Sequence, residues 1–180
     1  MKQLRSYINI RKTPSNVKAT DDTIKKIVKD ELGRLGNDAD LNHIDVSEVT
    51  NMKGLFRCDD YGELWPNVRN LNPDISKWNV RKVEIMKFMF AFNENFNQDI
   101  SGWDVSNVKD MDHMFYAAKK FNQDLSEWDV SSVKSMFLMF GYCENFNQDL
   151  SKWDVSDVKR SHDMFHNCPI KEKYKPKFKK

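Results

Sequence analysis

The sequence has few of the residues that mark several common protein classes. Its 180 residues include only six glycines, five prolines and three cysteines. Three cysteines are an odd number and too few for a disulfide framework, which favours a reducing compartment. No apolar run approaches the roughly 18 residues of a membrane-spanning helix, and the first ten residues lack the apolar core of a signal peptide. We therefore expect a cytoplasmic protein without a membrane span.

Sequence signatures of catalysis and nucleotide binding are also missing. The chain contains no Gly-x-Ser-x-Gly, no P-loop, no Gly-x-Gly-x-x-Gly and no His-Glu-x-x-His. His43 and His113 have no recognisable nucleophile to act with. We predict that the protein is not an enzyme and that it uses no cofactor.

What the sequence does contain is a repeat. The phrase Phe-Asn-Gln-Asp-Ile-Ser-Gly-Trp-Asp-Val-Ser-Asn-Val at 96–108 returns in near-identical form at 121–133 and again at 146–158, so its period is constant. A degenerate copy begins at Leu41. The interval from Val46 to the equivalent Val80 is longer than this period, which indicates an insertion at 57–70. A fixed period of this size is typical of repeat proteins, whose units bury their apolar sides only against one another.

The apolar pattern within each unit predicts two elements. Apolar residues three and four positions apart, such as Met111, Met114, Phe115 and Ala118, indicate a short helix. The preceding segment around Trp103 favours a very short strand. The predicted fold class is therefore an α/β solenoid, a leucine-rich-repeat-like stack of about five coils with an N-terminal helical cap.

The predicted domain organisation has three parts. Residues 1–40 form an N-terminal strand and helix cap, with the helix at about 21–35 and Gly36 as its C-terminal stop. Residues 41–168 form the repeats. Residues 169–180 form a tail with six lysines and one glutamate at 171–180. We interpret this tail as a solvated end, with nucleic-acid binding as the less favoured alternative.

The repeat resembles a known family. The pattern Trp-Asp-Val-Ser-x-Val-x-x-Met-x-x-Met-Phe, followed by Phe-Asn-Gln-Asp, is similar to the BspA-like leucine-rich-repeat surface proteins of bacteria over residues 41–168. The resemblance implies a leucine-rich-repeat-like fold. It also implies roles such as adhesin or antigen for some members, which need an export route.

Three polar or aromatic patterns each have a functional and a structural interpretation, and we favour the structural one for each. The repeated aspartates, such as Asp99 and Asp104, are more consistent with turn caps than with calcium ligands. His162 and His166 fit a polar face better than a zinc site, so we predict no metal. The repeated tryptophans indicate a core spine rather than a platform for sugars or bases. They are Trp78, Trp103, Trp128 and Trp153.

The positions that differ between units are the candidates for partner recognition. One variable column contains Phe88, His113 and Leu138, and the next contains Phe92 and Tyr142. If these columns face outward, they form an apolar and aromatic patch extended by Tyr116 and Phe137. If they face inward, they are irregular core filling, and the sequence favours neither alternative. Tyr61 and Trp65 of the insertion are further candidates.

The function that we predict is a non-enzymatic protein-interaction scaffold inside a bacterial cell, with a phage or mobile element as a candidate source. Its partner is a protein rather than nucleic acid or a membrane. The alternatives are a cell-surface adhesin or antigen of the BspA-like type, and a repeat protein that binds carbohydrate or metal ions.

Overall fold

Regular secondary structure is scarce in the computed structural model, which describes residues 17–59 and 70–178. Strand β1 (Val17–Lys18) pairs in parallel with β2 (Ile44–Asp45), and helix α1 (Ile24–Leu35) lies between them in the chain. A single 3-10 helix (Glu172–Tyr174) follows the described repeats. The strand predicted in the first eleven residues lies outside the described part of the chain.

Helix α1 matches the predicted helix closely. Ile24, Val28 and Leu32 recur every four residues and are buried, and Gly36 ends the helix with a φ of 94° and an N–H that donates to the Leu32 carbonyl. The helix begins three residues later than predicted. Asp21 lies before the helix, and its carboxylate accepts hydrogen bonds from the backbone N–H and the hydroxyl of Thr50. These bonds attach the residues that precede the helix to the first repeat unit.

The prediction of an α/β solenoid is wrong. The described residues contain one α-helix and one pair of two-residue strands, and they do not form five coils of strand and helix. Leucine-rich-repeat architecture is likewise unsupported, because the repeats consist of turns and extended segments joined by isolated parallel bridges. The bridges link Ile85, Asp110, Ser135 and Arg160 in turn at a constant interval, whereas the bridge from Asn51 to Ile85 spans the longer first unit.

The segments predicted as short helices are pairs of sharp corners. We call them the corner segments; they are 49–59, 83–93, 108–118, 133–143 and 158–168. In each of the last four, two residues other than glycine have a φ between 51° and 60°. The first-corner residues are Phe88, His113, Leu138 and Asp163, and the second-corner residues are Phe92, Ala117, Tyr142 and Asn167. Such left-handed residues cost roughly 1–2 kcal/mol each and interrupt a helix.

Neighbouring corner segments are joined by rows of hydrogen bonds that all run in one direction. Four N–H groups at alternate residues of one segment donate to carbonyls of the next, as with Met86 to Asp110, Phe88 to Asp112, Phe90 to Met114 and Phe92 to Tyr116. The same four bonds recur at each of the other three junctions. These rows give the repeat its register without continuous strands.

The core follows the period of the repeat. Phe56, Phe90, Phe115, Phe140 and Phe165 form a stack with neighbouring ring centroids 5.4–5.7 Å apart. Each repeated tryptophan is buried and donates its indole N–H to a carbonyl of the preceding unit, as Trp128 does to Ile100. This confirms the tryptophans as a core spine.

The polar phrase before each tryptophan joins the units on another side. The Asn122 N–H donates to Asn97 Oδ1, and the Gln123 amide donates to the Asn97 carbonyl. These side chains therefore bridge units, whereas the sequence suggested only local turn bonds.

The tail continues this arrangement. The Lys171 N–H donates to Asn147 Oδ1, and Ile170 and Pro176 are buried. Among the described residues of the tail, 169, 171–173 and 177 are exposed, and the others are buried or half-buried. The tail is therefore less solvated than predicted.

Substitution of the left-handed Ala117 by glycine tests the strain at the corners. Because Ala117 is small and has a φ of 56°, Ala117→Gly should raise the free energy of unfolding by about 1 kcal/mol. The neighbouring Ala118 is buried with no positive φ, so Ala118→Gly should lower stability instead. Urea denaturation of both variants measures the difference. Equal destabilisation by both would contradict strain at Ala117.

Candidate interaction surface

The residues predicted to bind a partner lie together on one surface. We call it the aromatic face; it comprises Phe88, Phe92, His113, Tyr116, Phe137, Leu138 and Tyr142. One row runs from Phe88 to His113 and on to Phe137, with ring centroids 4.5 and 4.9 Å apart. The other runs from Phe92 through Tyr116 to Tyr142, at 5.2 and 5.3 Å. His113 and Tyr116, 5.4 Å apart, connect the two rows.

The seven side chains are neither core nor scattered surface residues. Six are half-buried, and Tyr142 is 40% exposed. The alternative of core filling is therefore not what the structure shows. The role of these residues in binding a partner stays a prediction.

The corners are what turn these side chains outward. At the corner of Phe137 and Leu138 both consecutive residues are half-buried rather than in the core, while the flanking Met136 and Met139 are fully buried. The apolar residues that suggested a helix thus face inward because the backbone bends twice. The variable residues occupy the bends.

Gly141 makes room for the centre of the aromatic face. A Cβ atom at this position would lie 2.9 Å from Leu138 Cδ2 and 3.1 Å from Tyr116 Cδ2. The absence of a side chain therefore allows Leu138 and Tyr116 to approach each other across neighbouring units. Both neighbours are side-chain atoms, so a methyl group would displace them rather than the backbone.

A buried carboxylate lies beside this surface. The Asp112 side chain is 2% exposed and accepts hydrogen bonds from the Ser135 hydroxyl and, at 2.9 Å, from the Phe137 N–H. Its Oδ2 is 2.9 Å from Arg160 Nη1 and 3.3 Å from Lys87 Nζ. Burial raises the pKa of Asp112, but these hydrogen bonds and the nearby Lys87 charge outweigh it and hold the pKa below its usual value. Asp112 is thus a charged link between four units.

The cations linked to this carboxylate cover two of the rings. Arg160 lies 4.2 Å from the centroid of Phe137, and Lys87 lies 5.6 Å from that of Phe88. Arg57 also lies over Phe88, at 4.9 Å, and pairs with the buried Asp59. The cations add cation–π attraction to the stacking, and the carboxylates balance much of their charge.

Two titratable members of the aromatic face keep their neutral forms. Burial lowers the pKa of His113, and the neighbouring cations lower it further, although Asp112 opposes them. Burial and the neighbouring Tyr142 raise the pKa of Tyr116. At neutral pH the surface therefore offers an uncharged imidazole and phenol hydroxyls among apolar rings.

Several residues around this surface were missed from the sequence. His162 and His166 continue the two rows, with His162 4.3 Å from Phe137 and His166 5.2 Å from Tyr142. Their repeat positions match those of Phe137 and Gly141, so alignment of the units could have found them. The role of Asp112 had no such signal, because its partners come from three other units.

The structure also places the residues of the competing hypotheses. Asp99 and Asp104 accept hydrogen bonds from Ser101 and Ser106, which confirms them as turn caps. Neither His162 nor His166 lies on a helix. Within 17–59 and 70–178, no group of three or more His, Cys, Asp or Glu side chains is arranged to hold a metal ion. Tyr61 and Trp65 lie outside the described residues.

None of the three cysteines forms a disulfide, and the fully buried Cys143 donates its thiol hydrogen to the Phe115 carbonyl. Burial raises the pKa of Cys143 well above its usual value, so this thiol is protonated at neutral pH.

Comparison with known proteins places the chain in a family. The family described as "Mycoplasma protein of unknown function, DUF285" matches residues 59–177, about two thirds of the chain. The chain belongs to this family. No match was found among curated proteins or among solved structures. As for membrane insertion, none of the helices within the described residues has the length and apolar character to span a bilayer.

Neutralising Asp112 tests its electrostatic role. Because its folded-state pKa lies below the ordinary value of about 3.9, its contribution to stability is present above that pH and is lost as the pH falls through the lower folded value. Asp112→Asn should therefore lower the free energy of unfolding by about 2 kcal/mol at pH 7, and the difference should shrink below about pH 4.

The control for this experiment is Asp124→Asn. Asp124 is exposed and caps its own turn through the Ser126 N–H, so the same change of charge should have little effect on stability. Urea unfolding at pH 7 and pH 3 measures both variants. A loss for Asp112→Asn that does not change with pH would rule out a charge effect.

Proposed function

We propose that the protein is a non-enzymatic protein-interaction scaffold and that the aromatic face is its binding surface. The single observation that supports this most directly is the continuous contact among rings from three units, with none of the seven side chains buried. Clusters of partly exposed aromatic side chains of this kind are typical of partner surfaces, because they bury a large area with little loss of side-chain entropy.

The rigidity of the surface also supports the proposal. Each left-handed residue of the corner segments 83–93, 108–118 and 133–143 donates its backbone N–H to the next unit. His113 donates to the Phe137 carbonyl, for example, and Tyr142 donates to the His166 carbonyl. The rings are therefore attached to a bonded backbone rather than to a free loop. A preorganised surface loses less freedom when it binds, which favours affinity.

The chemistry of the aromatic face indicates that the partner presents an apolar patch with a few polar groups. Lys87 and Arg160 share Asp112, and Arg57 pairs with Asp59, so two carboxylates balance all but one of the three positive charges and the pull on an acidic partner is weak. The hydroxyl of Tyr142 and the neutral imidazole of His113 can each form a hydrogen bond at the edge of an apolar contact. Burial of rings would supply most of the binding energy.

The test is the loss of binding when the most exposed ring is removed. Affinity purification with the wild-type chain from the native host identifies a partner, and calorimetry with the purified partner measures its affinity. Tyr142→Ser should weaken binding at least 30-fold, as expected for an aromatic residue that dominates the binding energy, while the melting temperature changes little. Tyr142→Phe keeps the ring and should retain most of the affinity.

A displacement variant gives an independent control. Gly141→Ala removes no ring, but its methyl group displaces Tyr116 and Leu138, so it should weaken binding through the shape of the surface alone. Full affinity in both Gly141→Ala and Tyr142→Ser would exclude the aromatic face as the binding surface.

The site of action is part of the same proposal. We place the protein in the cytoplasm of a bacterial cell, with a phage or mobile element as a candidate source. A second candidate is a surface adhesin or antigen of the BspA-like type, since the repeat phrases resemble those proteins. Fractionation of the native host distinguishes them: we expect the chain in the cytosolic fraction, and recovery on intact cells by surface proteolysis would favour the adhesin.

A further inference from the structure

We propose that the end of the repeat at 158–168 binds, through its backbone N–H groups, an apolar segment of a partner polypeptide that bends at two corners as the corner segments do. This binding site is separate from the aromatic face and does not depend on the function proposed above. It is built from the last row of backbone N–H groups and from the groove between that row and the tail.

The last corner segment has four donors without acceptors among the described residues. In the preceding segment, the N–H groups of Met136, Leu138, Phe140 and Tyr142 donate to carbonyls of Arg160, His162, Met164 and His166. The equivalent N–H groups belong to Ser161, Asp163, Phe165 and Asn167. None of these four donates a hydrogen bond within 17–59 and 70–178. They form an open edge that is spaced to pair with alternate carbonyls of another segment.

The open edge offers donors only. The carbonyl oxygens of Ser161, Asp163 and Phe165 already accept N–H groups from Met164, His166 and Cys168 within the corners. Two copies of this end cannot pair with each other, because each would present N–H groups to N–H groups. The complementary ligand is a polypeptide that supplies carbonyl oxygens, as in the addition of a peptide to a sheet edge.

The tail covers one side of this end and leaves the other side open. Tyr174 supplies its carbonyl to the Leu150 N–H, so the tail takes the place of a next unit there. Beside the open edge remains a groove of about 330 Å³. Phe165, Pro176 and Phe178 supply apolar lining to it, and Ser161 and Asp163 contribute the edge.

The lining indicates which side chains the segment carries. Glu172 and Lys175 at the groove pair with each other at 2.7 Å. Asp163 also lines the groove and forms no ion pair among the described residues, so the groove disfavours an acidic segment. The apolar lining favours apolar side chains. The segment must also follow two corners, which favours glycine or asparagine where its backbone becomes left-handed.

The probe is a blocked synthetic peptide with the sequence of residues 133–147, in which Leu138→Gly and Tyr142→Gly ease the corners. Within the chain, this same stretch offers four alternate carbonyls, those of Ser135, Phe137, Met139 and Gly141, to the N–H groups of the preceding corner segment. Amide hydrogen exchange of the full chain is followed by NMR. In the free chain, Ser161, Asp163, Phe165 and Asn167 should exchange far faster than Met136, Leu138, Phe140 and Tyr142.

Addition of 1 mM peptide should slow exchange at the four open amides at least tenfold. Unchanged exchange at these amides would overturn the proposal. So would slow exchange in the free chain, since it would mean that the edge is already covered. A dimer detected by ultracentrifugation without peptide, with the same four amides protected, would assign the edge to a second copy and overturn the proposal as well.

Ser161→Pro is the matched variant. The substitution removes an N–H donor that has no acceptor among the described residues. The preceding residue, Arg160, forms a bridge to Ser135 and so has an extended backbone, which tolerates a following proline. Stability should be unchanged and peptide affinity should fall about tenfold, the effect of one lost hydrogen bond. Full affinity in this variant would exclude the edge as the site.

A second comparison separates this site from the aromatic face. Met136→Pro removes the equivalent donor inside the repeat, where it bonds to Arg160, and should destabilise the fold. Tyr142→Ser should leave peptide binding intact. Loss of peptide binding in Tyr142→Ser would show that the peptide binds the aromatic face instead.

Discussion

The row of backbone hydrogen bonds between corner segments is the interaction on which the rest of the structure depends. Because the described repeats contain neither helices nor continuous strands, these rows are what hold successive units in register. Four bonds cross each junction, and each contributes about 1 kcal/mol on the usual scale for a paired backbone group. The phenylalanine stack and the tryptophan spine can repeat only because the rows place each unit at the same offset from the last.

The rows also explain how the chain tolerates its left-handed corners. At Phe88, His113 and Tyr142 the cost of a positive φ is offset by a hydrogen bond from the same residue to the next unit. Within the described residues no further unit accepts hydrogen bonds from the corner segment 158–168, whose corner residues are Asp163 and Asn167. Aspartate and asparagine adopt this conformation at lower cost than bulky residues, which fits the absence of a compensating bond.

This arrangement connects the fold to the proposed function. Large rings at left-handed positions are pushed outward, and the rows keep them at a spacing that allows contact between units. Asp112 adds a charged link across the same surface, because Lys87, Ser135 and Arg160 all bond to its carboxylate. A surface of this kind varies by single substitutions at the corners while the inward residues stay the same. Under the proposed function, binding specificity and folding would belong to different columns of the repeat.

The sequence predicted some of these features and misled us about others. The period, the helix ending at Gly36, the buried tryptophans and the aspartate turn caps follow from local patterns, and the structure contains all of them. The predicted short helices failed because Met111, Met114, Phe115 and Ala118 have the spacing of a helix face. Two inward-folded corners bury the same set of residues. Glycine would have revealed the corners, but among the described corner segments only Gly54 in the first unit carries that signal.

By itself the sequence determined the register of the units and which columns are apolar, because the period and the repeated large side chains can be read directly from the order of the residues. It also determined the candidate residues of the aromatic face, since they are the positions that vary. Only the tertiary structure decided that the units turn through left-handed corners, that the variable columns face outward, and that Asp112 connects four units. Those features depend on hydrogen bonds between residues of different units, far apart in the chain, and no local pattern records such bonds.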